Sequence, residues 1–295
     1  MHSYLKSIGY SNITTKDDEQ KLINEIIRYA NKKSMISISQ TKDDQFAEFS
    51  REIAPGMGVT VRGQIDEQDQ FHLDHYFPYL TPRVVTSNEE TFVEKKSEND
   101  SYGAMCEDYR LGVALIFHLQ NAVDYLRVNK RRKATSFQCP VRVSALASEG
   151  TILFPAVKTA EDVKTVNEET KQFAKMIAAA KDGDQEAIDH LAIKEIDDYA
   201  LVNDRVKTED IFSIVDTSFV PYGMESEVYR IVGIILSLEE RTNSQTGEKI
   251  YLMEIYCNHI VFDLCINTKD LLGVPEKGRR FRGVVWLQGC LDFDR

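Results

Sequence analysis

The sequence predicts an α+β fold in three parts: a mixed helix and antiparallel-sheet domain over 1–157, an acidic helical connector over 158–226, and a small β-barrel over 227–295. Three observations predict it. Apolar residues recur at helical spacing in a few stretches, they alternate with polar residues at period two through most of the rest, and the excess negative charge is concentrated in the middle. The chain has 295 residues, 42% hydrophobic and 28% charged, with 36 Lys and Arg against 47 Asp and Glu, net −11. That composition excludes a disordered or collagen-like chain. A chain this long buries a core without staples.

In the amino-terminal part, Leu22, Ile23, Ile26, Ile27 and Ala30 predict a helix over 18–32, and 35–39 alternates like a strand. Val59, Val61 and Ile65 share one strand face, with Thr60, Arg62 and Gln64 on the other. After a polar turn over 66–70, alternation resumes through Phe71, Leu73, His75, Phe77 and Tyr79, which makes a hairpin. Residues 111–119 are apolar on both faces and predict a central strand. Val141, Val143 and Ala145, a turn at 148–150, and 152–154 predict a closing hairpin.

Residues 158–226 carry 8 Lys and Arg against 16 Asp and Glu, net −8, whereas 1–157 carry 19 against 21 and 227–295 carry 9 against 10. Thr159 and Asp162 predict a capping box for a helix carrying Val163, Val166, Phe173 and Ile177. A turn at 181–184 ends it, Ile188 and Leu191 predict a short second helix, and Ile193, Ile196 and Ala200 a third. The acid excess reads first as the solvated face of these helices, and second as a docking surface for a basic partner.

The carboxy-terminal part predicts strands over 228–238, 250–257, 260–266 and 280–291, with a single helical turn over 269–272 that Thr268 caps and Gly273 stops. That order resembles the small Greek-key barrel known as the OB-fold. Such barrels bind oligonucleotides through cations and aromatics on one sheet face. Arg279, Arg280, Arg282 and Trp286, the only tryptophan, are the candidate residues for an anion or nucleic acid, with Arg280, Arg282 and Trp286 on one face and Phe281 opposite. The near-neutral charge of the segment argues against nucleic acid.

Other constellations are weaker. His72, Asp74 and His75 are three potential ligands within four residues, but strand geometry sends them to opposite faces, and no metal is assigned. The cationic run 130–133 reads first as a solvated loop and second as a contact for phosphate or nucleic acid. Five scattered cysteines without a Cys-x-x-Cys pair predict reduced thiols. No apolar run reaches membrane-spanning length and no secretion signal is read at the start, so the cytoplasm is the expected location and no membrane is expected as partner.

Three stretches carry a resemblance: Met1-His-Ser-Tyr-Leu-Lys-Ser-Ile-Gly9; the junction from Asp210 through Gly223 into Glu227-Val-Tyr-Arg-Ile-Val-Gly233; and Gly278-Arg-Arg-Phe-Arg-Gly-Val-Val-Trp-Leu-Gln-Gly289. The chain resembles an uncharacterised bacterial family of about this length from clostridia and their relatives. The resemblance implies no activity and no site residues.

No nucleotide-binding loop, metalloprotease motif or nucleophile elbow is present. The expectation is therefore a non-catalytic binding or regulatory protein without a cofactor, its partner a protein or a small anionic ligand. Two alternatives stand beside it. One is an enzyme assembled from distant residues such as Glu107, Asp108, Arg110 and His118, or Tyr222 and Glu225. The other is a scaffold that self-assembles through the acidic helices.

Overall fold

The structure is a computed structural model that describes residues 2–37, 45–96, 101–134, 136–155, 175–176, 179–180, 183–189, 216–224 and 226–293. The described residues are mostly β, with 50% of them in strands and few in helices.

A 3-10 turn at Leu5–Ile8 leads to helix α1, Lys16–Arg28. The helix starts earlier than its apolar spacing predicts because Thr15 caps it. The Thr15 hydroxyl accepts from the Asp18 amide at 3.2 Å and the Asp18 carboxylate accepts from the Thr15 amide at 3.2 Å, the reciprocal pairing of a capping box.

Strands β1 (Lys32–Ser37), β2 (Gln45–Ala54), β3 (Met57–Ile65) and β4 (Phe71–Leu80) then form a four-stranded antiparallel sheet in chain order. The hairpin of β3 and β4 is the one the alternation predicts. α1 covers one face of this sheet, where Val59 and Val61 meet Leu22, Ile23 and Ile26.

β5 (Thr91–Lys95), β6 (Tyr102–Cys106) and β7 (Leu115–Leu119) follow, then helix α2 (Ala122–Arg132), β8 (Ser136–Phe137) and β9 (Val141–Leu153). The predicted central strand over 111–119 shortens to β7, because Gly112 turns at φ 67°. The predicted hairpin over 141–154 is instead one continuous strand. Its turn-like residues mark a bulge: Ala147 pairs with Val285 and Glu149 with Val284, so Ser148 is extra. Gly150 belongs there because an added Cβ would lie 2.3 Å from the Phe281 ring.

After the middle segment come β10 (Ser218–Pro221), β11 (Val228–Thr242), β12 (Lys249–Cys257), β13 (Ile260–Asn267), β14 (Leu271–Leu272) and β15 (Arg280–Leu291). A 3-10 turn at Thr268–Asp270 sits where the helical turn was expected. Asn267 caps it rather than Thr268, its side chain accepting from the Lys269 amide at 3.1 Å.

Five strands close a ring, in the order β11, β12, β13, β9, β15 and back to β11. The barrel is therefore not contained in 227–295: its fifth wall, β9, comes from 141–153. β15 also pairs with β7, and the sheet continues through β6 and β5 to β8. Of the expected middle helices, residues 185–189 are helical, with the Asp184 side chain accepting from the Glu186 and Ala187 amides at 3.0 and 3.3 Å. The Thr159–Asp162 box, Leu191 and the third helix lie outside the described residues.

Two cores result. Inside the ring, Phe281, Val285 and Leu287 join Ile231, Ile255, Phe262 and Leu264, and this core runs on under α2. Outside it, Leu146, Val228, Ile250, Leu252, Cys265 and Trp286 pack against the first ten residues, α1 and the four-stranded sheet.

Candidate functional site

The predicted alternation along β15 holds, but its even-numbered residues do not form one open face. Trp286 is 6% exposed and stacks on Tyr4 at 5.7 Å, so the aromatic is a core residue of the outer barrel face. Arg280 is buried and donates to the Phe154 carbonyl at 3.0 Å, and burial holds its guanidinium pKa below the ordinary value. Arg279 pairs with Glu276 at 3.0 Å and lies over the Phe154 ring. Arg282 is half-buried.

The residues proposed for a distant-residue enzyme divide between two places. Asp108 pairs with Arg110 and accepts from the Ser87 hydroxyl at 2.7 Å. Burial opposes its ionisation, yet the Arg110 guanidinium holds its carboxyl below the usual range. Neighbouring Cys106 is buried, which raises its pKa. His118 sits elsewhere, against Phe77, Trp286 and Arg62. Burial, then the Arg62 charge, pushes its pKa well below the ordinary value, so it stays neutral. Glu107 lies beside the first cluster in sequence and makes no bond to His118 among the described contacts. Tyr222 lies under the Arg230 guanidinium, and Glu225 lies outside the described residues.

His72 bonds Asp66 at 2.6 Å on the surface, while His75 faces His118 across 6.2 Å. β4 is bulged at Asp74. Even so, no group of three His, Cys, Asp or Glu among the described residues is placed to hold a metal. The cationic run is the last turn of α2, with Lys133 as its cap; there Lys130, Arg131 and Arg132 complement the helix dipole. Lys130 and Arg127 donate to the Ser37 and Met35 carbonyls at 3.2 and 3.5 Å, covering the edge of β1.

A concave site among the described residues lies on the other face of the four-stranded sheet. Register puts Lys32, Ser34, Glu48, Ser50, Glu52, Gly58, Thr60, Arg62, Phe77 and Tyr79 on that face. Opposite stand Gln120, Asn121, the first turns of α2 and Cys290 at the end of β15, enclosing a cleft of about 390 Å³. Arg62 anchors its deep end. Fully buried, it bonds Glu48 at 2.5 Å, the Leu119 carbonyl at 3.0 Å and the Gln120 carbonyl at 2.6 Å, with its guanidinium 4.5 Å from the Phe77 ring centre.

The cleft floor is held by bonds within the protein. Gln120 donates to the Leu80 carbonyl at 2.9 Å and to Gln288 at 2.8 Å, and Asn121 makes both of its amide bonds to the Leu291 backbone. Burial pushes the Cys290 thiol up to about 12, and it donates to Gln120 at 3.4 Å. Ser34, Tyr79 and Thr81 at the walls have side-chain oxygens with no hydrogen bond to another described residue. Gly58 leaves room for Tyr79, whose hydroxyl would stand 2.7 Å from an added Cβ.

Sequence reading found the polar stripe of β3 but gave it no partner. The signal was Arg62 between apolar neighbours, a charge that has to be paired if the strand is internal.

Fold and cleft together define a β-barrel protein with a preformed polar cleft beside the ring. The chain belongs to the family described as "Domain of unknown function, E. rectale Gene description (DUF3881)", which matches it over residues 5–289. No curated protein and no solved structure matches the chain. No helix among the described residues is long and apolar enough to cross a membrane.

Proposed function

We propose that this chain is a non-catalytic binding or regulatory protein of the cytoplasm, and that its ligand enters the cleft between the four-stranded sheet and α2. The observation that carries the reading is the cleft itself: a concavity of ligand size whose floor is fixed by internal hydrogen bonds while hydroxyls on its walls remain available. A site fixed in this way spends little on ordering when a ligand arrives. The five cysteines are free thiols, which fits a reducing compartment.

We read the barrel as OB-like. A meander of β11, β12 and β13 is closed by a parallel pairing of β13 with β9, and β15 bridges β9 to β11. The strand that closes an OB meander in parallel usually comes last in the chain; here it comes first. The outer face of β12 and β13 is filled by the amino-terminal residues, which removes the stacking surface a nucleic acid would use and favours the cleft.

Incubating the protein with a metabolite extract and following it by mass spectrometry tests the reading. Enrichment of an unchanged small molecule, lost when Tyr79→Phe and Thr81→Val are combined, is the expected result. Time-dependent consumption of a metabolite would make the protein an enzyme, and enrichment indifferent to the double substitution would move the site elsewhere.

A further inference from the structure

We infer that the cleft takes a neutral, polyhydroxylated small molecule, a sugar or cyclic polyol no larger than a disaccharide. The inference rests on the cleft being a binding site and adds the class of ligand.

The first argument is charge. The ionised groups that line or floor the cleft cancel: Arg62 pairs with Glu48 at 2.5 Å and Arg127 with Asp124 at 3.1 Å, which leaves one ammonium, Lys32, and one carboxylate, Glu52. An anion or a cation would find no excess of the opposite sign to replace its hydration. A neutral ligand carries no such cost.

The second argument is the kind of hydrogen bond on offer. Ser34, Tyr79 and Thr81 present hydroxyls that both donate and accept, and Glu52 and Lys32 add an acceptor and a donor. Sugar hydroxyls also do both, so a wall of this composition satisfies them whichever way each one turns. An anion such as phosphate would be set against the Glu52 carboxylate, and an apolar ligand would leave the polar groups on the wall without partners.

The third argument is shape. Tyr79 is half-buried and lines the cleft, and a pyranose has an apolar C–H face that packs on an aromatic ring. The volume, about 390 Å³, lies at the small end of the range for small-molecule sites, which run from about 300 to 1,000 Å³.

Titration calorimetry on the full chain with glucose, maltose and myo-inositol, and with inorganic phosphate and lysine as charged probes, tests the inference. Saturable heat is expected with at least one of the three neutral probes, and with neither charged probe. Tyr79→Phe and Thr81→Val should each weaken that binding by about tenfold, the loss of roughly one hydrogen bond. His72→Ala, outside the cleft lining, should leave it unchanged, and melting curves show whether each variant is folded. No neutral probe binding at millimolar concentration overturns the inference. Phosphate or lysine binding that the cleft variants weaken also overturns it, while leaving the cleft as a binding site. Sugar binding indifferent to both substitutions overturns the assignment to this cleft.

Discussion

The two faces of the four-stranded sheet have opposite fates. On one, Val59 and Val61 meet Leu22, Ile23 and Ile26 of α1 in a dry core; on the other, Glu48, Ser50 and Thr60 face a wall of amides across a cleft, with Arg62 buried beneath. Both faces are covered, so exposure does not explain the difference. The apolar face contributes stability in proportion to the area it removes from water. The polar face is held at the deep end by Arg62 and further along by the Ser50–Thr60 hydroxyl pair, and the Ser34 and Tyr79 hydroxyls there have no hydrogen bond to another described residue.

The largest effect that tests this contrast is at its junction. Arg62→Met strands Glu48 and two carbonyls, and should lower the unfolding free energy by about 3–5 kcal/mol, read from urea titrations. A small loss would mean that the deep end is as open as the mouth. On the α1 face, Ile26→Ala should cost about 2–5 kcal/mol for the cavity it leaves.

Acid should act at the same junction through His118. Its folded pKa lies below the ordinary value of 6.5, so the unfolded chain takes up a proton first as pH falls. Stability is then full above about 6.5 and declines below it. Melting temperature followed from pH 8 to 5 should show the decline in the wild type and a shallower one in His118→Gln; equal slopes would show that this ring is not shielded.

Smaller still, Thr15→Ala should cost about 1 kcal/mol by removing the α1 cap. Thr81→Val, on the cleft wall, should shift stability by no more than about 0.5 kcal/mol. If Thr81→Val cost as much as Ile26→Ala, the cleft would be core and the contrast would fail.

Much of this was legible in the amino acids, because alternation and capping are local. The hairpin of β3 and β4, the long β15 and the strand order from 228 onward follow from period-two patterning. The misreadings share a cause. Ser148, Glu149 and Gly150 have the composition of a turn, and only the approach of Phe281 from far along the chain makes them a bulge. Alternation predicts the face of β15 that Trp286 takes, but what covers that face, Tyr4, lies at the other end of the sequence. The cleft drew residues from β1 to β4, α2 and β15, and its polar stripe looked like a solvent face because its opposite wall is remote in the chain.

β15 pairs with β9, β11 and β7 at once. In time, this makes the carboxy-terminal strand the step on which the architecture waits. During synthesis β9 emerges early, and neither of its antiparallel and parallel neighbours, β15 and β13, exists until more than a hundred further residues have been added. Until then the edges of β9 have unmet hydrogen bonds, a template for wrong pairing. The ring is thus closed, through β9, by contacts with large sequence separation, which form late and slowly. A chain released before 280 would hold its hairpins and its first sheet, yet have no barrel and no wall at Cys290 for the cleft.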